Sequence, residues 1–167
     1  MKLLSCTAFA LTLSASSALA IDACLVGAWQ VDGQSLANAM GAQMGGTATH
    51  QGGSASMQIT DAGDIGMTID SLVVSAEMPG APPMAITIDG ASQGTLDAAD
   101  NSYAADVTDY TLVGSADMMG TRMEIPITSA SGGGWGQSSG AYSCSNDTLT
   151  FVPTEAGSIP PAWIRVR

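Results

Sequence analysis

Basic residues are nearly missing from this chain of 167 residues, which has 4 Lys+Arg against 15 Asp+Glu. The formal net charge of −11 at pH 7 repels phosphate groups, and this excludes nucleic acids and anionic membranes as favoured partners. We interpret the acidity as a solvating coat. His50 is the single histidine, and no nucleophile motif lies near it. We therefore predict that the protein is not an enzyme.

Long apolar runs are also scarce, and the one that stands out is at the amino terminus. Lys2 is followed by LLSCTAFALTL and then by the small residues SASSALA. A transmembrane helix needs about 20 mostly apolar residues, and this run is shorter and contains Ser and Thr. The pattern predicts a signal peptide, residues 1–20, that is cleaved after Ala20. Residues 21–167 then form one exported domain, periplasmic or secreted, with no membrane-spanning segment.

Cysteine is the third scarce residue, with three copies, of which Cys6 lies in the signal peptide. Cys24 and Cys144 remain near the two ends of the mature chain, and in an oxidising compartment they predict a disulfide. A metal-binding or redox pair is an alternative, although a CxxC spacing and a neighbouring histidine are lacking. A lipid anchor on Cys24 is another, although Asp22 before it suits lipidation poorly.

Apolar residues make up 46 % of the chain and mostly alternate with polar ones, which predicts β-strands. The predicted strands are 25–31, 55–59, 65–69, 72–74, 84–88, 103–107, 110–112, 123–127, 142–144, 149–151 and 163–166. Asp89-Gly90 is typical of a hairpin turn, and Pro126 indicates an edge strand or a bulge. About ten short strands with turns at regular spacing predict an all-β antiparallel barrel or sandwich.

One segment departs from this alternation. Between Ser35 and Met44 the apolar spacing is four residues, through Leu36 and Met40, and this predicts a short helix after the first strand. Asp32 or Ser35 is suited to cap the start of that helix.

Gly27-Ala28-Trp29 on the first strand, followed by the helix, resembles the opening of calycin barrels, the lipocalins and fatty-acid-binding proteins. Thr108-Asp109-Tyr110 also resembles a lipocalin turn. The resemblance implies an antiparallel meander that closes into a lipocalin-like barrel. It also implies that Gly27 and Trp29 lie at the closed end of that barrel. An unrelated β-sandwich is the alternative fold.

Arg165 in the last strand resembles the arginine that calycin barrels place near the first-strand Trp or against a ligand carboxylate. Alternation puts Arg165 on one strand face with Trp163 and Arg167. Two interpretations stay open. Facing inward, Arg165 is an anchor for an anionic ligand group; facing outward, it is a solvated charge, which the cost of burying an unpaired charge favours.

Methionine is abundant and lies mostly at apolar strand positions. An adaptable interior of this kind suits a small apolar or amphipathic ligand, so we predict a non-enzymatic binding protein without a cofactor. Met40, Met44 and His50 are weak candidates for copper(I) ligands, but we predict no resident metal. The alternatives are a solid structural or interaction scaffold of the cell envelope and, after it, a methionine-based copper carrier.

Overall fold

The computed structural model describes residues 21–118, 120–126, 137–154 and 162–167, and it confirms the all-β prediction. The predicted signal peptide and its cleavage after Ala20 lie outside these residues. The described ranges contain ten strands and one helix: β1 (Gly27–Val31), α1 (Gly33–Gln43), β2 (Thr47–Ile59), β3 (Asp64–Glu77), β4 (Met84–Ala99), β5 (Ser102–Tyr110), β6 (Val113–Met118), β7 (Thr121–Pro126), β8 (Gln137–Cys144), β9 (Thr148–Pro153) and β10 (Ala162–Arg165).

Eight of these strands form a closed antiparallel barrel. Hydrogen bonding runs in the order β3-β2-β1-β10-β9-β8-β5-β4, and β4 pairs with β3 to close the circle. The predicted architecture, an antiparallel barrel with one short helix after the first strand, is therefore confirmed. The β6–β7 hairpin departs from a plain meander, in which each strand pairs with the next strand along the chain. β6 pairs with β4, and β5 pairs with β8.

The long strands β2, β3 and β4 continue beyond the barrel. In the first part of β4, residues 84–88 pair with β3 on one side and residues 85–89 pair with β6 on the other. The outer parts of the three strands, together with β6 and β7, therefore form an open sheet, which we call the sheet extension. Its edge at β7 carries Pro126, as the sequence predicted for an edge strand.

A bend separates the sheet extension from the barrel. It crosses three neighbouring strands at residues with positive φ: Gly53 at 76°, Ser71 at 46° and Gly90 at 122°. The predicted hairpin turn at Asp89-Gly90 was wrong, because both residues lie within β4. The glycine serves the bend instead, since a Cβ at Gly90 would lie 2.3 Å from the carbonyl oxygen of Thr111.

Helix α1 packs against the sheet extension and protects the edge of β2. Asp32 is the N-cap, and its carboxylate accepts a hydrogen bond of 2.7 Å from the backbone N–H of Ser35. The side-chain amide of Gln34 donates to the carbonyl of Ala48 at 3.4 Å and accepts from the N–H of His50 at 3.3 Å. Gln34 thus occupies backbone groups of β2 that a neighbouring strand would otherwise bind. This prevents a strand of another chain from pairing with β2 at this edge.

The barrel interior is filled by the inward side chains of its strands. Several large ones are at most 2 % exposed: Trp29, Met57, Leu96, Leu149, Phe151 and Trp163. Burial of each contributes about 1.5–3 kcal/mol to folding. A second cluster of buried residues lies under α1 and consists of Ala37, Ala48, Val74 and Ala76. Because three of the four are alanine, it buries less apolar surface than the barrel interior does.

Candidate functional site

Trp29 lies at one end of the barrel, where β1 begins and β10 ends. Its indole is fully buried, and its Nε1–H donates a hydrogen bond of 2.8 Å to the carbonyl of Leu25. The register of β1 and β10 places Trp29 opposite Arg165, whose guanidinium carbon lies 4.1 Å from the ring centroid. The two side chains form a cation–π stack.

Arg165 connects β10 to two other segments of this end through three backbone carbonyl groups. Its Nε donates to the carbonyl of Asn146 at 2.8 Å, Nη1 to that of Val26 at 3.0 Å, and Nη2 to that of Cys24 at 2.5 Å. These donors are directed at the chain's own carbonyl groups, so Arg165 is not a freely solvated charge. Its role as an anchor for an anionic ligand group stays a prediction.

The glycine of the Gly-x-Trp motif makes room for this arginine. Gly27 has a φ of 134°, and a Cβ at this position would lie 2.8 Å from Nη1 of Arg165. A larger residue would therefore push the guanidinium away from Trp29.

Residues 21–26, which we call the N-terminal strap, cover the end of the barrel beneath Trp29. Leu25 of the strap is fully buried. The predicted disulfide between Cys24 and Cys144 is confirmed, and it ties the strap to β8. Because both sulfurs are in this bond, neither is available for a metal or a lipid. The hydroxyl of Tyr142 donates a hydrogen bond of 2.8 Å to the Asp22 carboxylate.

Burial raises the pKa of all three tyrosines in the chain. For Tyr142 the pKa rises to about 12, first because of burial and then because the Asp22 carboxylate favours the neutral phenol. For Tyr103 burial outweighs the opposing effect of its hydrogen bond to Ser138. For Tyr110 burial acts first and the charge of Asp106 acts second.

We expect the folded protein to lose stability as the pH rises from 10 to about 12. The folded state holds the Tyr142 proton more tightly than the unfolded state, so this stabilisation is complete below the unfolded pKa of about 10. It then disappears as the pH passes through the folded value. Denaturant unfolding on either side of pH 10 measures the loss, and Tyr142→Phe should show a shallower decline. An equal decline in both proteins would contradict this role of Tyr142.

Two buried hydroxyl groups belong to residues that are neighbours on adjacent strands of the barrel. Ser92 of β4 is opposite Tyr110, the last residue of β5, and Met67 of β3 is opposite Ser92. Within the described part of the chain, Ser92 Oγ and Tyr110 OH are buried and form no hydrogen bond. Each buried hydroxyl without a partner lowers the stability of the folded protein by about 1–3 kcal/mol. A ligand with one polar group placed between them would remove that cost.

A second pair of inward hydroxyls does form a hydrogen bond. Tyr103 OH and Ser138 Oγ lie 2.9 Å apart and satisfy each other. The sequence resemblance pointed to Tyr110 only as part of a turn motif, and it did not point to Ser92. Ser92 lay outside the predicted strands, because the strand prediction ended at residue 88, whereas β4 continues to Ala99.

The weak copper candidates are parts of the packing around α1. Met40 and Met44 contact the alanine-rich cluster beneath the helix. The ring of His50 lies against the first turn, where a Cβ at Gly33 would be 2.7 Å from Nδ1, and Nε2 is buried without a hydrogen bond. No group of three or more His, Cys, Asp or Glu side chains suited to a metal occurs among the described residues.

The fold and its closed end define a small disulfide-bonded antiparallel β-barrel protein. No protein-family model matches the chain, and neither does any curated protein or solved structure. In the described ranges, no helix has the length and apolar character needed to cross a membrane.

Proposed function

We propose that the protein is an exported, non-enzymatic binding protein whose barrel holds a small apolar or amphipathic molecule. The observation that carries the proposal is the pair of unbonded interior hydroxyls, Ser92 and Tyr110. A polar group on the ligand bonds to this pair, and the rest of the ligand contacts the surrounding apolar walls. The disulfide supports export, because such bonds persist mainly in oxidising compartments.

The packing of the interior limits the size and position of this ligand. Trp29, Phe151 and Trp163 are at most 1 % exposed and fill much of this interior. Leu36 of α1 belongs to the same buried cluster and is 4 % exposed, so the helix borders part of the interior. A ligand enters there by displacing flexible side chains such as Met67, because methionine adopts alternative shapes at low cost.

Native mass spectrometry on the mature protein, purified without detergent from its own host compartment, tests the proposal directly. We expect a reproducible extra mass that is lost on denaturation. The composition of that mass identifies the class of ligand. A bare polypeptide mass, reduced by two hydrogens for the disulfide, would contradict the proposal.

Tyr110→Phe is expected to weaken ligand affinity about fivefold to tenfold, since a hydrogen bond contributes about 1 kcal/mol or slightly more. The ligand-free variant should be at least as stable as the original protein, because an unsatisfied hydroxyl has been removed. Tyr103→Phe is the matched control: it breaks the bond to Ser138 and should lower stability without weakening ligand affinity. Equal affinity in all three proteins would show that the Ser92–Tyr110 pair does not hold the ligand.

A solid scaffold of the cell envelope is the second candidate function. It is favoured by the very low exposure of the inward side chains, which include Trp29 and Trp163 at 0–1 %. In this case protein partners bind the outer surface and the interior serves stability alone. The bare mass described above is the result expected for the scaffold.

A further inference from the structure

Among the residues that the structure describes, one side of the barrel carries no charge. It is formed by the outward residues of β9 and β1, of β8 from Ser139 onward, of β10 continued to Val166, and of residues 54–58 in β2. We call it the uncharged face. These residues are all Ser, Thr, Gln, Ala, Val or Ile, in a chain with 15 acidic residues. At its rim, Asp147 and Arg167 form an ion pair with each other.

Exposed apolar side chains are concentrated on this face. The structure describes five large hydrophobic residues that are strongly exposed, and three of them are here: Val152 at 59 %, Ile164 at 50 % and Val166 at 49 %. Ile164 is central, because it lies opposite Gln30 of β1 on one side and Thr148 of β9 on the other. Exposed apolar groups clustered within a polar rim are typical of interaction surfaces.

We propose that the uncharged face binds a second copy of this chain. Two molecules with a formal charge of −11 repel each other wherever acidic residues meet, and this face avoids such contacts. A two-fold axis near Ile164 brings the same patch of both copies together. Its hydroxyl and amide groups both donate and accept hydrogen bonds, so the face is complementary to itself.

The size of the face predicts a weak and reversible dimer. Five strands about 4.8 Å apart span about 24 Å, and three to five residues of about 3.4 Å each give a height of roughly 10–17 Å. The resulting footprint of a few hundred Å² is below the roughly 800 Å² per partner of a standard interface.

Sedimentation equilibrium on the mature, disulfide-bonded protein tests this proposal. We expect the average mass to rise from one chain toward two as the concentration increases. Added salt should strengthen the association, because it screens the repulsion between the two acidic molecules. A single-chain mass up to the solubility limit, at low and at high salt, would overturn the proposal.

Ile164→Glu is expected to weaken the dimer about tenfold or more, because it places two like charges at the centre of the interface. Gln30→Glu adds the same charge with little change of shape and should act in the same direction. Val113→Glu is the matched control: Val113 is 46 % exposed but lies on β6, away from this face. Dimerisation that persists in Ile164→Glu, or that is lost equally in Val113→Glu, would overturn the assignment to the uncharged face.

Discussion

Replacing Trp29 with alanine is expected to lower the free energy of unfolding by about 3–5 kcal/mol. The indole is fully buried, so its removal leaves a cavity that the rigid strands around it do not fill. The change also removes the Nε1 hydrogen bond to Leu25 and the aromatic face beneath Arg165. Denaturant unfolding of the disulfide-bonded protein measures the effect.

Trp29→Phe separates the contributions of the ring. It keeps an aromatic face for Arg165 but lacks the N–H group, so we expect a loss clearly smaller than that of Trp29→Ala. If Trp29→Ala cost less than about 1 kcal/mol, Trp29 would not have the central packing role that its burial indicates. If the two variants were equally unstable, the lost hydrogen bond to Leu25 would account for most of the destabilisation.

Removal of the disulfide is the second large effect. Cys24→Ser combined with Cys144→Ser is expected to lower the free energy of unfolding by about 2–4 kcal/mol, because the bond closes a loop of 120 positions. Reduction of the original protein should give a loss of similar size, measured by unfolding with and without a reductant. Equal stability of the reduced and oxidised proteins would show that the N-terminal strap is held by its other contacts alone.

The disulfide and Arg165 should also be energetically coupled. Both hold the N-terminal strap, since Arg165 donates to the carbonyls of Cys24 and Val26. In the oxidised protein Arg165→Gln is expected to cost more than in the Cys→Ser double variant, where the strap is free to move. A double-mutant cycle measures this difference, and strict additivity would mean that the two act independently.

The closed end shows how far sequence reasoning reached in this protein. The Gly-x-Trp motif singled out Gly27 and Trp29, because the resemblance depends on residues that are adjacent in sequence. The true partners of Arg165 were not predictable in the same way. They are backbone carbonyl groups from remote segments, and a carbonyl has no signature in the amino-acid sequence.

Two interior features could be predicted only in part. Ser92 was not assigned to a strand, because the predicted strand ended at residue 88, and its pairing with Tyr110 requires the register of β4 and β5. The turn prediction at Asp89-Gly90 failed because glycine suits a bend inside a strand as well as it suits a hairpin. Whether such a glycine forms a bend within a strand or a hairpin turn depends on the neighbouring strands.

The sequence by itself determined the strand-rich fold, the short helix after the first strand and the disulfide. These follow from local periodicity and from a single remaining pair of cysteines. Tertiary structure alone decided between a closed barrel and a sandwich, and it decided the contacts of Arg165, the unsatisfied hydroxyl pair and the uncharged face. The outward residues of that face come from segments more than 100 positions apart, such as Gln30 and Ile164. Strand order brings them together, and strand order is a property of the whole folded chain.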